Sequence, residues 1–201
     1  MIHGMMLMDR FMGHFIIFAI SLCGFISCVE YTPKPRGYAR IEPPVASYTH
    51  LMVDSLPFSF DLSDIVEVEL PGSLSGPSLN MKISYPSLKA KLYCSYNHVG
   101  HASLDELLME SRSIVARQMA VGEVLQERAY GDPNSALYCS LFELGGGAAT
   151  PIQFILTDSV SSIFRAALYF DCKPNADSLA PAVDYIREDI IEMIQTFRWR
   201  R

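Results

Sequence analysis

The stretch LNMKISYPSLKAKLYCSY, residues 79–96, alternates apolar and polar side chains on both sides of Pro86. Leu79, Met81, Ile83 and Tyr85 share one face, and Leu88, Ala90, Leu92 and Cys94 share another. Successive side chains of an extended chain point to opposite faces, so each half reads as a half-buried β-strand. Upstream, LPFSFDLSDIVEVEL (56–70) is β-prone with partial alternation, and PGSLSGPS (71–78) then breaks the pattern with Gly, Pro and Ser. That combination predicts a strand or two followed by a loop.

Downstream the period changes. Ser103 and Glu106 have the spacing of a capping box, and Leu104, Leu107, Leu108, Ser111, Ile114, Val115, Gln118 and Met119 recur at helical intervals, which predicts a helix over 103–119. EVLQERAY and SALYCSLFEL flank the turn GDPN, PIQFILTD follows the glycine-rich LGGGAAT, and SIFRAALYFD lies beyond SVSS. Four strands joined by short links imply antiparallel hairpins. A last helix is expected over 179–197, with Leu179, Val183, Ile186, Ile190, Met193, Ile194 and Phe197 as its stripe and Asp177 or Ser178 as its cap. Arg198, Arg200 and Arg201 follow it, where cations favour the negative end of the helix dipole. Strands, helix, four strands and helix together predict an α+β domain, an antiparallel sheet covered by helices. The order resembles the Mog1/PsbP-like sandwich, by analogy alone.

At 201 residues, half of them apolar, the chain is long enough for one well-buried domain. Its net charge is −6, and residues 1–27 carry only the cancelling Asp9 and Arg10, so the acidic excess lies in the rest of the chain. An acidic domain lacks the basic field that releases counterions from phosphates, so no nucleic-acid partner is expected. The run Phe15–Ile26 (FIIFAISLCGFI) is uncharged. As a helix it would rise about 18 Å, short of the roughly 30 Å hydrocarbon core but sized for a signal-peptide h-region. Ser27-Cys28 closes it as a bacterial lipobox does: a small residue precedes a cysteine that takes diacylglycerol and becomes the first mature residue. A plain secretory signal or an uncleaved anchor are the competing readings. Two or three acyl chains on Cys28, at about 0.8 kcal/mol per buried CH₂, would hold the protein far more firmly than one. Residues 29–50, with four prolines and no period, read as an extended tether. The expected organisation is therefore a signal peptide over 1–27, a lipidated N-terminus and tether over 28–50, and one α+β domain over 51–201.

The folded part carries no strong catalytic pattern. GSLSG (72–76) places Leu74 where a nucleophile elbow needs serine, and Gly145–Gly147 are not followed by Lys-Ser or Lys-Thr. His98 and His101, near Asp105 and Glu106, would make a metal site only if those carboxylates joined them, and loop polarity explains them better. Cys94, Cys139 and Cys172 fall in or beside strands, compatible with one disulfide or with buried thiols. Asp158, Asp171 and Asp177 offer either turn and cap duties or a carboxylate cluster able to run hydrolysis in a periplasmic enzyme. A third possibility is a small-ligand module with an apolar pocket between sheet and helix. No cofactor is expected.

YTPKPRGYARIEPP, PFSF, SYPSLKAKLYCSY, TPIQFILTDS, FRAALYF, PNADSLAPAVDYIREDI and TFRW follow one another in an order that resembles the GldD family of Bacteroidetes gliding-motility lipoproteins, from the lipobox cysteine almost to the C-terminus. The resemblance implies a lipid-anchored envelope protein required for gliding that supports the type IX secretion machinery through protein contacts, with a GldE-type membrane protein as a partner; it establishes no enzymatic activity. It places Lys34, Arg36, Gly37 and Tyr38 of the tether, and Gln153, Asp158 and Arg165 around the last hairpin, as candidate partner-binding residues. Asn175, Asp177 and Ser178 match as well, with capping as their expected duty. The family pattern has a cysteine where this chain has Leu56 and Cys-Trp where it has Ser78-Leu79, as the loss of a disulfide would leave it. Ser162 and Ala166 stand in place of a His and a Gly, so no role carries over to them.

Overall fold

A computed structural model describes residues 46–74, 76–99, 101–118, 125–145, 148–171 and 176–200. The strands are β1 (Tyr48–Leu51), β2 (Phe58–Ser63), β3 (Glu67–Glu69), β4 (Ser78–Tyr85), β5 (Ala90–His98), β6 (Leu125–Asp132), β7 (Leu137–Leu144), β8 (Ile152–Thr157), β9 (Ser162–Phe170) and β10 (Arg198–Trp199). Helix α1 (His101–Arg117) lies between β5 and β6, and α2 (Ala176–Thr196) between β9 and β10. Seven strands form one antiparallel sheet in the order β3-β4-β5-β9-β8-β7-β6, and β1-β2-β10 form a smaller one. The α+β architecture with helices on an antiparallel sheet is the one expected.

The two halves of residues 79–96 are β4 and β5, joined by a 3-10 turn at Pro86–Leu88 that ends on Lys89 in the left-handed region, φ 50°. Leu79, Met81, Ile83, Tyr85, Ala90, Leu92 and Cys94 all point into the main core. There they meet Ile186, Ile190 and Met193 of α2, Phe197 directly after it, and Phe58 and Phe60 of β2. On the opposite face, Leu104 and Val115 of α1 cover Phe142, Leu144, Ile155 and Ile163. β8 is therefore buried on both faces, which accounts for its uninterrupted run IQFILT. Arg112 ties α1 across to the sheet, donating to Glu127 Oε1 at 2.7 Å and Ser140 Oγ at 3.0 Å while stacking over Phe142.

Four features differ from the sequence expectation. α1 begins at His101 and α2 at Ala176, so Ser103, Asp177 and Ser178 lie inside first turns and are not caps. β1 opens at Tyr48, within the stretch expected to be tether, because Tyr48 finds a buried acceptor: its hydroxyl donates to Asp189 Oδ1 on α2 at 3.0 Å. Ser47 and Thr49 both donate to Asp64 at 2.6 Å, which fixes the same entry point. β10 follows α2 after one residue and pairs with β2, Arg198 opposite Ser59 and Trp199 opposite Phe58. Arg198 nonetheless donates to the carbonyls of Gln195 and Phe197, the C-terminal duty expected of a cation there.

Asp189 is a buried carboxylate, and burial is the largest influence on it, raising its pKa against the lowering effect of its hydroxyl neighbours. Ser63 and Tyr85 lie beside it, yet their hydroxyls and Asp189 Oδ2 lack a hydrogen bond of sound geometry.

Candidate functional site

α1 covers only part of the outer face of the large sheet. On β4, β5 and β9 the outward half of the alternation stays open, and it forms the floor of a groove of about 470 Å³. The register sets this floor. Asn80 lies opposite Ser95, and Ser95 opposite Arg165. In the next row Lys82 faces Tyr93, and Tyr93 faces Ala167. Small side chains at Ser95 and Ala167 leave room above the sheet, while Leu70 and Pro71 form one apolar border. Tyr93, 49% exposed, meets Tyr169 edge to face with ring centroids 5.5 Å apart.

The charges on this face are unequally matched. Lys82 Nζ is 2.7 Å from Glu69 Oε1, and Lys91 Nζ is 2.6 Å from Asp171 Oδ2. The hydrogen bond that Lys91 donates to Asp171 raises the Lys91 pKa. Arg165, half-buried between these pairs and α1, has neither a hydrogen bond nor an ion pair among the described residues. Burial lowers its pKa, and Glu110 on α1 acts on it in the opposite sense without forming an ion pair. A guanidinium stays charged under such a shift and keeps its fork of N–H donors. The groove thus combines a cation without an ion pair among the described residues, small floor residues and an aromatic pair.

Of the residues expected around the last hairpin, Arg165 alone is at this groove. Gln153 is buried on β8, and its Nε2 donates to Gln118 Oε1 at 2.7 Å and to Thr150 Oγ1 at 3.0 Å. Thr150 also bonds Gln118, so this network ties the end of α1 to the sheet and leaves Gln153 no surface to offer. Asp158 closes the β8–β9 turn: Oδ1 accepts the backbone N–H groups of Val160, Ser161 and Ser162 at 2.8–2.9 Å, while Ser159 takes φ 60°. Burial pushes its carboxyl up, but these donors together outweigh it and hold the pKa low. Both residues are committed to the fold. Cys28, Lys34, Arg36, Gly37 and Tyr38 lie outside the described residues.

Asp158 precedes β9 and Asp171 follows it, so about 26 Å of strand separates them and they do not form a carboxylate pair. The Asp177 side chain is outside the description. His98 Nδ1 lies 3.3 Å from Ser162 Oγ, and among the described residues no group of three or more His, Cys, Asp or Glu is placed to hold a metal. Cys94 and Cys139 are buried free thiols on β5 and β7, three strand spacings or about 14 Å apart, too far to bridge one another. Cys172 is outside the described residues. Between sheet and α2 there is an apolar recess of about 360 Å³, bordered by Tyr130, Leu141, Ile191 and Ile194.

Asn80, Ser95, Tyr93 and Tyr169 were not singled out in the sequence. The signal was present as the polar half of the alternation that marked β4 and β5, but alternation does not say which outer face another element covers.

The family model for the gliding motility lipoprotein GldD matches residues 28–199 of this chain. No curated protein matches. Among solved structures, the solution structure of cyanobacterial PsbP (CyanoP) from Synechocystis sp. PCC 6803 is similar over 83% of this chain and 99% of that one, at 8% identity and a TM-score of 0.46. That likeness is too loose to carry an argument.

Proposed function

Since this chain belongs to the GldD family of gliding motility lipoproteins, we propose that it is anchored through Cys28, faces the periplasm, and supports the assembly or stability of motility and type IX secretion components by protein contacts. The observation that carries this reading is the span of the family match, which opens at the cysteine whose preceding serine and apolar run mark a lipidation site. The open face around Arg165 supplies a docking surface, and the proline-rich segment with Lys34, Arg36, Gly37 and Tyr38 a second contact strip. A GldE-type membrane protein is a candidate partner. The role is non-enzymatic in this reading, which the placement of Asp158 and Asp171 beyond opposite ends of β9, with about 26 Å of strand between them, supports.

The test is a clean deletion complemented with the wild-type gene, scored for colony spreading, for secreted adhesins and for the steady-state amounts of secretion-machinery proteins. Loss of all three on deletion, with recovery on complementation, is the expected result. A deletion strain that spreads but secretes normally, or that keeps its machinery at wild-type amounts, sinks the assembly role.

A further inference from the structure

We propose that the groove over Arg165 receives an acidic side chain of a partner protein, a Glu or Asp carboxylate carried on an extended segment, which deepens and rests on the reading of this face as a docking surface. Asn80, Ser95 and Arg165 occupy adjoining positions on three neighbouring strands. Strand spacing sets them in a line about 10 Å long. Each carries an N–H or O–H donor, and none of the three is engaged in a hydrogen bond among the described residues. The acceptors at hand are largely spoken for, since Glu69 is held by Lys82 and Asp171 by Lys91.

A half-buried guanidinium has lost part of its hydration, and a carboxylate that accepts two parallel N–H bonds restores it with a charge-assisted pair. Asn80 and Ser95 then serve the second oxygen or the backbone carbonyl beside it. The groove is not a simple anion bowl. Leu70, Pro71 and Ala167 give it apolar borders, which match the methylene stem and backbone of a peptide and offer nothing to a bare phosphate. Tyr93 and Tyr169 present flat apolar surface with a polar tip, a combination enriched where protein partners meet. Buried, well-packed arginines flanked by aromatics are the usual anchors of such interfaces.

The test uses the full chain in detergent and three probes: an acetylated Glu-containing pentapeptide amide, its Gln counterpart, and inorganic phosphate, with binding followed by calorimetry. The Glu peptide is expected to bind at least tenfold more tightly than the Gln peptide. Arg165→Gln should abolish that difference, and Arg165→Lys should keep part of it, with the thermal midpoint of each variant unchanged. Equal binding of the two peptides, or of the Glu peptide to wild type and Arg165→Gln, overturns the proposal, as does phosphate displacing the peptide at equal concentration. Spreading of cells carrying Arg165→Gln at wild-type protein amounts separates the two levels of the claim. Lost spreading of these cells, when the wild-type protein does not prefer the Glu peptide, removes the acidic partner but keeps the docking face; normal spreading of these cells removes both.

Discussion

Phe197 is the residue on which the three layers of the core close. It is fully buried at the end of α2, and its ring centroid lies 5.7 Å from Phe58, 5.8 Å from Phe60, 5.3 Å from Phe164 and 4.7 Å from Trp199. Truncation of a buried phenylalanine to alanine costs about 3–5 kcal/mol from lost transfer energy and the cavity left behind. Four aromatic neighbours, each pair worth about 0.5–1.5 kcal/mol beyond area burial, put Phe197→Ala at the upper end, about 5 kcal/mol. Phe197→Leu keeps most of the volume and forfeits the ring contacts, so about 2 kcal/mol is expected. Urea unfolding followed by Trp199, the sole tryptophan, reports on this cluster directly. With a urea slope of about 2 kcal/mol per molar, the midpoint should fall by about 2.5 M for alanine and about 1 M for leucine. An alanine variant that loses less than about 2 kcal/mol, or a leucine variant that loses as much as the alanine, would refute the account of this core.

Asp189→Asn tests the buried carboxylate by pH. Its folded pKa is raised, so its favourable contribution is fully present below the ordinary Asp range and is lost as pH rises through the folded value. The stability of wild type relative to Asp189→Asn should therefore fall between acid and neutral pH, and urea midpoints that diverge in the opposite sense refute this. Tyr48→Phe removes the hydroxyl that donates to Asp189 and should cost about 1–3 kcal/mol by the same assay, since it leaves a buried acceptor unmet. Burial pushes the Cys139 thiol up to about 12 and that of Cys94 higher still, so neither should react with a maleimide at pH 8 until urea unfolds the chain. Peptide mapping by mass spectrometry reads this, and labelling of either cysteine in the native protein contradicts the burial.

The sheet was legible where one face of a strand meets the core and the other meets water, because a period of two then survives in the sequence. β4 and β5 are such strands. The final hairpin is different: β8 is covered by α1 on one side and by α2 on the other, so Gln153 reads as an exposed polar residue while it is a buried partner of Gln118 and Thr150. Asp158 shows the same limit, since a turn aspartate and a docking aspartate have the same sequence signature and only its three backbone donors tell them apart. Helix starts moved by two or three residues because first turns tolerate the serine and aspartate that also serve as caps. β10 is two residues long and gains its pairing from β2, far upstream, which no local pattern encodes. The sequence points to Arg165 as a binding candidate, but that no described residue pairs with it follows from where Glu69, Asp171 and Glu110 fall in space.

The central claim is that this motility protein works from a lipid anchor on Cys28. Exchange of the chromosomal gene for Cys28→Ser, followed by membrane fractionation and colony spreading, tests it most directly. The account predicts that the folded domain leaves the membrane fraction and that spreading is lost. A Cys28→Ser protein that stays in the membrane fraction of cells that still spread would contradict it.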